Sequence, residues 1–227
     1  MSSNMPASRD LKTQGIILRR TNFKEADRIL SVITPEGKIS VMARGVRRSR
    51  SRLAGGVEMF TVSELMIHFG RSEMGVLTGA KMLQYYNGLL SDLSRLELAS
   101  EFLKRINRAA EHIDNALYFD ILKQGLAGLN DGIDTNLVEV WFLLNLKRAN
   151  GEEVNLYRDV TGEKLVAEVR YIWDETEEAF RRQENGWYGV DEIKMLRLML
   201  SVGLSTIARV KCDEKTIRAV VELARMV

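Results

Sequence analysis

The hydrophobic pattern changes its period once along the chain, near residues 85–88, and this change constrains the fold more than any other feature. Before it, apolar residues occur in short runs rich in isoleucine and valine, separated by turn signals, which is typical of β-strands. After it, apolar residues recur every three or four positions, the spacing of an amphipathic helix. The sequence therefore predicts an α+β protein with a β domain at residues 1–83 and an α-helical domain at residues 84–227.

Five strands are predicted in the first domain, at residues 14–20, 26–34, 38–43, 57–69 and 74–83. A polar connection at residues 21–25 is expected between the first two. Thr34-Pro35-Glu36-Gly37 has proline at the second position of a β-turn and glycine at the fourth, which predicts a hairpin between the second and third strands. Five short strands fit a small barrel of the oligonucleotide-binding (OB) type better than a sandwich, because a sandwich has more strands.

Five helices are predicted in the second domain, at residues 91–111, 115–126, 135–149, 191–202 and 213–225. Asp92 or Ser91 is the expected cap of the first, and Asp213 that of the last. Residues 154–188 are the least regular part of the chain, with a short alternating piece at 165–173 followed by a charged stretch at 174–184. We expect this insert to be held by packing alone.

Composition excludes some classes of protein. Apolar residues make up 45% of the chain and charged residues 28%, ordinary values for a protein with a buried core. No apolar run could span a bilayer, and the first ten residues lack the apolar stretch of a secretory signal. Cys212 is the single cysteine, so an internal disulfide cannot form. We therefore expect a cytoplasmic protein without membrane contact.

The small net charge of +2 conceals an asymmetry. Residues 1–81 hold 14 lysines and arginines against 7 acids, and the remaining residues hold 19 against 24. A basic front half joined to an acidic back half favours a polyanionic partner for the front half.

Five arginines lie within nine residues after the third strand, and no acidic residue occurs between Glu36 and Glu58; the five are Arg44, Arg47, Arg48, Arg50 and Arg52. The guanidinium fork pairs with phosphate oxygens and can stack on bases, so this cluster predicts contact with a polynucleotide backbone. The alternative is a solvated loop that serves solubility. Phe23 lies in the polar connection and is the candidate for stacking on a base, or else packs under the loop.

The run from Gly15 to Leu65 resembles the N-terminal domain of the bacterial recombination mediator RecO. The resemblance rests on Glu-Ala-Asp-Arg at residues 25–28, a threonine followed by Gly-Lys at residues 34–38, Ala-Arg-Gly-x-Arg-Arg at residues 43–48, and Ser-Arg-Leu at residues 51–53. It is dense over about 70 residues and looser through the helical half, which in that family is an α-helical domain after an OB barrel.

The resemblance implies DNA repair and recombination: binding of single- and double-stranded DNA, annealing of complementary strands, and loading of RecA together with RecR. It implies a further contact with the acidic C-terminal tail of single-strand-binding protein. The family's basic hairpin and loop correspond to Lys38, Arg44, Arg47, Arg48 and Arg52, whereas Asp27 is expected to be structural. Candidate cations for the tail are Lys104, Arg105, Arg108, Lys123, Lys147 and Arg148.

One departure concerns metal. Many members of the family carry a four-cysteine zinc site that begins with Cys-x-x-Cys-Gly, and the corresponding place here reads Arg158-Asp-Val-Thr161-Gly162. We therefore expect no zinc and no other cofactor.

No catalytic constellation is recognisable either. Cys212 has no histidine near it in sequence, and His68 and His112 are isolated. Strand annealing requires charge neutralisation rather than covalent chemistry, so we expect a protein that is not an enzyme. The alternative is a protein-interaction scaffold whose barrel has lost significant DNA binding.

Overall fold

The strands of the first half close into a barrel in this computed structural model, which describes residues 9–112 and 115–227. The strands are β1 (Arg9–Phe23), β2 (Asp27–Thr34), β3 (Gly37–Ala43), β4 (Thr61–Phe69) and β5 (Gly75–Tyr85). Their order is β1-β2-β3-β5-β4, β4 pairs back with β1, and β3 runs parallel to β5. This is an OB-type barrel, as the sequence predicts.

Strand β1 is twice as long as predicted because it serves two neighbours. Residues 9–16 pair with β4 and residues 16–23 with β2, with a register shift between Ile17 and Arg19. Its two ends carry mostly exposed polar side chains and therefore lack the apolar alternation that marks a strand. The predicted connection at residues 21–25 is wrong for the same reason: only residues 24–26 form the turn.

The hairpin between β2 and β3 is confirmed, and side chains fix its turn. The Thr34 hydroxyl donates to the Gly37 carbonyl over 2.9 Å and accepts from the Glu36 N–H over 3.2 Å. The Thr13 hydroxyl donates to the Glu36 carboxylate over 2.7 Å and lowers the pKa of that group. Gly37 has a φ of 124°, a conformation that favours glycine.

Strand β4 begins four residues later than predicted because residues 54–57 form a 3₁₀ turn. In this turn Gly56 lies so close to β5 that an added Cβ would stand 2.5 Å from the Cβ of Ala80. Val57 is buried in the barrel core although it is not in a strand. The apolar side chain of Val57 makes the sequence pattern resemble a strand at this position. The structure confirms that the side chain is buried but places it in the 3₁₀ turn.

The helices lie close to their predicted positions. They are α1 (Leu93–Ala109), α2 (Leu117–Asn130), α3 (Thr135–Ala149), α4 (Val190–Ser201), α5 (Leu204–Ile207) and α6 (Glu214–Met226), of which α5 was not predicted. The carboxylate of Asp92 accepts from the Arg95 N–H at the start of α1, and that of Asp213 accepts from the Thr216 N–H at the start of α6. Both predicted caps are therefore present.

The chain divides by compactness into two units, the first ending at Leu126 and the second being Ala127–Val227. The type of secondary structure changes near the predicted boundary at residues 83 and 84, but α1 packs against β1 and so belongs with the barrel. In the second unit α3 is the central helix, with apolar residues buried on all its sides and α4, α5 and α6 packed around it.

Candidate nucleic-acid interface

The connection from β3 to β4, residues 44–60, carries the arginine cluster and is anchored at its third residue. The Val46 side chain is 3% exposed and joins the barrel core, and Leu53 packs against the same core. Turns follow each other between these anchors: the Arg48 N–H donates to the Gly45 carbonyl over 3.1 Å, and the Ser51 N–H donates to the Arg48 carbonyl over 3.0 Å. The cluster is thus an ordered surface segment, which we call the arginine loop (residues 44–52).

The arginine loop is attached to the turn between β1 and β2. The Asp27 carboxylate accepts from the Gly45 N–H over 2.7 Å, and the Ala26 carbonyl accepts from the Arg47 N–H over 2.9 Å. Gly45 has a φ of 62°, so the chain turns sharply at this attachment. Asp27 therefore has the structural role expected from the sequence.

The five arginines of the loop are all exposed. Among the described residues, no carboxylate lies within 4.0 Å of any of these guanidinium groups, and the one contact found is from Arg47 to the Lys24 carbonyl at 3.5 Å. Several arginines elsewhere are paired with carboxylates: Arg225, for example, binds Glu139 through two nitrogens. The loop therefore concentrates unneutralised charge at one place on the barrel, which favours an anionic ligand.

Phe23 ends β1 beside this loop. Its side chain is 38% exposed, and the Lys24 ammonium lies 5.4 Å from the ring centroid. Lys24 has a φ of 50° in the tight turn, and its carbonyl is the one that Arg47 contacts. An exposed ring next to several cations can stack on a base while the cations neutralise phosphates.

Lys38 is placed differently from the arginines. Its ammonium donates to the Asn107 carbonyl in the last turn of α1 over 2.8 Å and lies 3.2 Å from the carboxylate of Glu111, which follows that helix. The side chain is mostly buried. The structure therefore does not bring Lys38 into the arginine loop, although one strand, β3, joins them in sequence.

Two cations that the sequence analysis did not single out lie near Lys38. Arg9 begins β1, pairs in register with Phe69 at the end of β4, and places its guanidinium 5.1 Å from the centroid of that ring. Arg71 lies in the connection from β4 to β5, and with Arg9 and Lys38 it lines a groove. These residues are far apart in sequence, so the strand register was needed to bring them together.

The comparisons with known proteins identify the family of the chain. The family described as "Recombination protein O N terminal" matches residues 7–86. A DNA repair protein RecO of Dehalococcoides mccartyi (strain CBDB1) is 30% identical over 226 residues, which cover 93% of this chain and 86% of the relative. This chain belongs to the RecO family of DNA repair proteins.

Other RecO proteins match over a shorter stretch. The protein of Roseiflexus sp. (strain RS-1) is 36% identical over 147 residues, 64% of this chain and 52% of the relative. That of Listeria monocytogenes serotype 4b (strain CLIP80459) is 28% identical over 137 residues, 60% of this chain and 53% of the relative. The chain thus spans about half the length of these two relatives.

Residues 158–163, where the resemblance places the zinc site of many family members, are organised by a carboxylate. One oxygen of Asp159 accepts from the Thr161 N–H over 2.9 Å, the Thr161 hydroxyl over 2.6 Å and the Glu163 N–H over 3.1 Å. The other oxygen accepts from Arg182 Nε over 2.9 Å, and the Asp159 side chain is 1% exposed. The Thr161 hydroxyl, followed by the backbone donors and Arg182, lowers the pKa of Asp159.

A two-stranded sheet of β6 (Tyr171–Asp174) and β7 (Ala179–Arg182) supplies that arginine. The Phe180 ring makes edge-to-face contacts with three rings, those of Tyr171, Trp173 and Tyr188. Burial, with Glu222 nearby, raises the pKa of Tyr188 to about 12. The expectation that residues 154–188 are held by packing alone is therefore wrong, because an ion pair between the buried Asp159 carboxylate and the half-exposed Arg182 guanidinium adds to the aromatic cluster.

These side chains do not fit a zinc tetrad. Asp159 offers a single carboxylate whose two oxygens already accept four hydrogen bonds, and a guanidinium stands beside it. In residues 9–112 and 115–227, no three side chains of His, Cys, Asp or Glu gather so that they could hold a metal ion. The absence of bound zinc stays a prediction.

The isolated candidates do not assemble into a site. His68 lies 2.7 Å from the Asp10 carboxylate on the barrel, and Cys212 lies in the second unit, where burial raises the pKa of its thiol. Within the part of the chain that the structure describes, no helix is long and apolar enough to cross a membrane.

Proposed function

We propose that this RecO family member binds single- and double-stranded DNA through the arginine loop and the adjoining turn between β1 and β2. The observation that carries the proposal is the group of five exposed arginines without carboxylate partners, held in place by Val46, Asp27 and Ala26. Such a surface contacts phosphates rather than base edges, so binding is weakly sequence-selective and falls as salt rises.

Annealing follows from the same chemistry. Two complementary strands repel each other until cations neutralise part of their phosphate charge, and base pairing then proceeds without help. No bond is made or broken in the protein. The proposed role is therefore that of a mediator rather than of an enzyme. This mediator acts with RecR to load RecA on DNA covered by single-strand-binding protein.

The proposed contact with the acidic tail of single-strand-binding protein requires free cations near an apolar surface. Two of the six candidate cations are already engaged: Lys147 donates to the Val227 carbonyl, and Arg148 donates to the Leu200 carbonyl and the Asn145 side chain. Lys104, Arg105 and Arg108 surround one carboxylate, Glu101. The three candidates on α1 are exposed and share this one carboxylate, whereas Lys123 on α2 is half-buried and lies over the Phe119 ring.

The test is a fluorescence-anisotropy titration of a labelled single strand and a labelled duplex at several salt concentrations. Replacing Arg47 and Arg48 by Ala removes two phosphate contacts, so the slope of log K against log salt should fall by roughly 1.8 on duplex and 1.4 on a single strand. The matched control is Lys215→Ala with Arg218→Ala, which removes two exposed charges from α6.

The outcomes separate the two functions under consideration. Loss of affinity and slope in the loop variant, with the α6 variant unchanged, supports DNA binding by the loop. Equal loss in both variants assigns the effect to net charge. Wild-type protein that binds neither oligonucleotide at low salt supports the interaction scaffold instead.

A further inference from the structure

A groove on the barrel is separate from the arginine loop and carries its own cations. It lies between the start of β1, the first half of β3 and the connection from β4 to β5, and its volume is about 730 Å³. Four of the ten residues that line it are charged: three cations, Arg9, Lys38 and Arg71, and one acid, Glu73. The excess of positive charge favours an anion in this groove.

Two of these cations are available to a ligand. Arg9 stacks on Phe69 and Arg71 is exposed, and among the described residues neither has a carboxylate within 4.0 Å. Phe69 is buried in the barrel core, and the exposed Arg9 guanidinium lies over its ring. Both side chains can therefore donate to phosphate oxygens without first breaking an ion pair.

The third cation, Lys38, is held by α1. Its ammonium contacts the Asn107 carbonyl and the Glu111 carboxylate, and the Ser31 hydroxyl donates to the Asn107 side chain over 2.8 Å and attaches this end of α1 to β2. The Glu111 side chain is 53% exposed, so solvent screens its ion pair with Lys38. A phosphate entering the groove can therefore compete with Glu111 for the ammonium.

We propose that the groove formed by Arg9, Lys38 and Arg71 is a second phosphate-binding subsite of the barrel, and that Glu111 occupies Lys38 until a nucleic-acid phosphate displaces it. This inference rests on the proposed function, because it assigns regulation to the same DNA-binding barrel. Arg44 follows Lys38 by six residues of extended chain, which corresponds to about 20 Å. A stacked single strand covers this distance with roughly six nucleotides.

The experiment is a two-by-two set of full-length variants: wild type, Glu111→Gln, Lys38→Ala, and both together. Each is titrated with a labelled single-stranded oligonucleotide at low salt. Removing the competitor should raise affinity up to about fivefold, the limit set by an exposed ion pair. The gain should vanish in the Lys38→Ala background. Glu97→Gln, which changes an exposed acid on α1, is the control for net charge.

A separate variant tests the groove itself. Arg71→Ala should weaken binding and reduce the salt slope by about 0.7 on a single strand, since one phosphate contact is lost. An unchanged slope would overturn the subsite.

The outcomes distinguish this inference from the proposed function. Wild-type binding with no gain in Glu111→Gln, or with the same gain in Glu97→Gln or in the Lys38→Ala background, overturns the role of Glu111 and leaves DNA binding intact. Wild-type protein that binds no oligonucleotide overturns the proposed function, and the inference with it.

Discussion

Replacing Asp159 by Asn tests whether its carboxylate holds residues 154–188 together. The asparagine has the same volume and keeps one oxygen acceptor for the Thr161 and Glu163 N–H groups, but those bonds lose the charge that makes them about twice as strong. Its amide would also direct donors at Arg182, the side chain that now donates to Asp159. We expect the free energy of unfolding to fall by about 2 kcal/mol.

Differential scanning calorimetry measures this loss. For a chain of 227 residues that unfolds in one transition, about 2 kcal/mol corresponds to a fall in Tm of roughly 4–8 °C. The control is Glu163→Gln, which removes the exposed partner of Arg182 and should cost under about 1 kcal/mol. A Tm of Asp159→Asn equal to that of the wild type, or of the control, would refute the role of the buried carboxylate.

The pH dependence gives a second check on Asp159. Because the folded state lowers the pKa of this carboxyl, its contribution is complete above the unfolded pKa of about 3.9 and is lost as pH falls through the folded value. The Tm difference between wild type and Asp159→Asn should therefore stay constant from pH 7 to about pH 5 and shrink in stronger acid. A difference that grows on acidification would contradict this assignment.

Three further predictions concern bound zinc, the arginine loop and the proposed binding of an acidic tail. Elemental analysis should find no stoichiometric zinc, and a chelator should leave the Tm unchanged, because structural zinc contributes so much folding free energy that its removal would be visible. Asp27→Ala removes the acceptor of the Gly45 N–H, so it should weaken DNA binding several-fold at low salt while circular dichroism shows an intact barrel. An acidic peptide that ends in an apolar residue should bind the full chain. Its affinity, measured by an anisotropy titration, should fall as salt rises.

The parts of the fold that follow from local chemistry could be predicted. Helix α3 has the predicted bounds, and the hairpin at Thr34 and Gly37 and the caps Asp92 and Asp213 are all present, because each depends on residues within one turn of the chain. The predicted range of strand β1 is too short because both ends of the strand are polar and exposed. Such ends show no alternation of apolar and polar residues.

The candidate site could be predicted only where its residues are adjacent in sequence. The arginine loop is visible as a run, whereas Arg9, Lys38 and Arg71 meet through the register of β1 with β4 and the parallel pairing of β3 with β5. The engagement of Lys38 by Glu111 could not be foreseen, since nothing local indicates that α1 ends beside β3. The role of Asp159 could not be predicted for the same reason, because its partner Arg182 lies on β7, 23 residues further along the chain.

The burial of Val46 has a consequence for the thermodynamics and rate of the proposed DNA association. Because Val46 is anchored and turns follow it, the arginine loop loses backbone conformational entropy during folding, so little ordering is left for the moment of binding. Calorimetry of DNA binding should then show a small change in heat capacity, unlike a segment that folds on its ligand. We expect the association kinetics to show one electrostatically steered phase, with no slower phase for rearrangement of the loop.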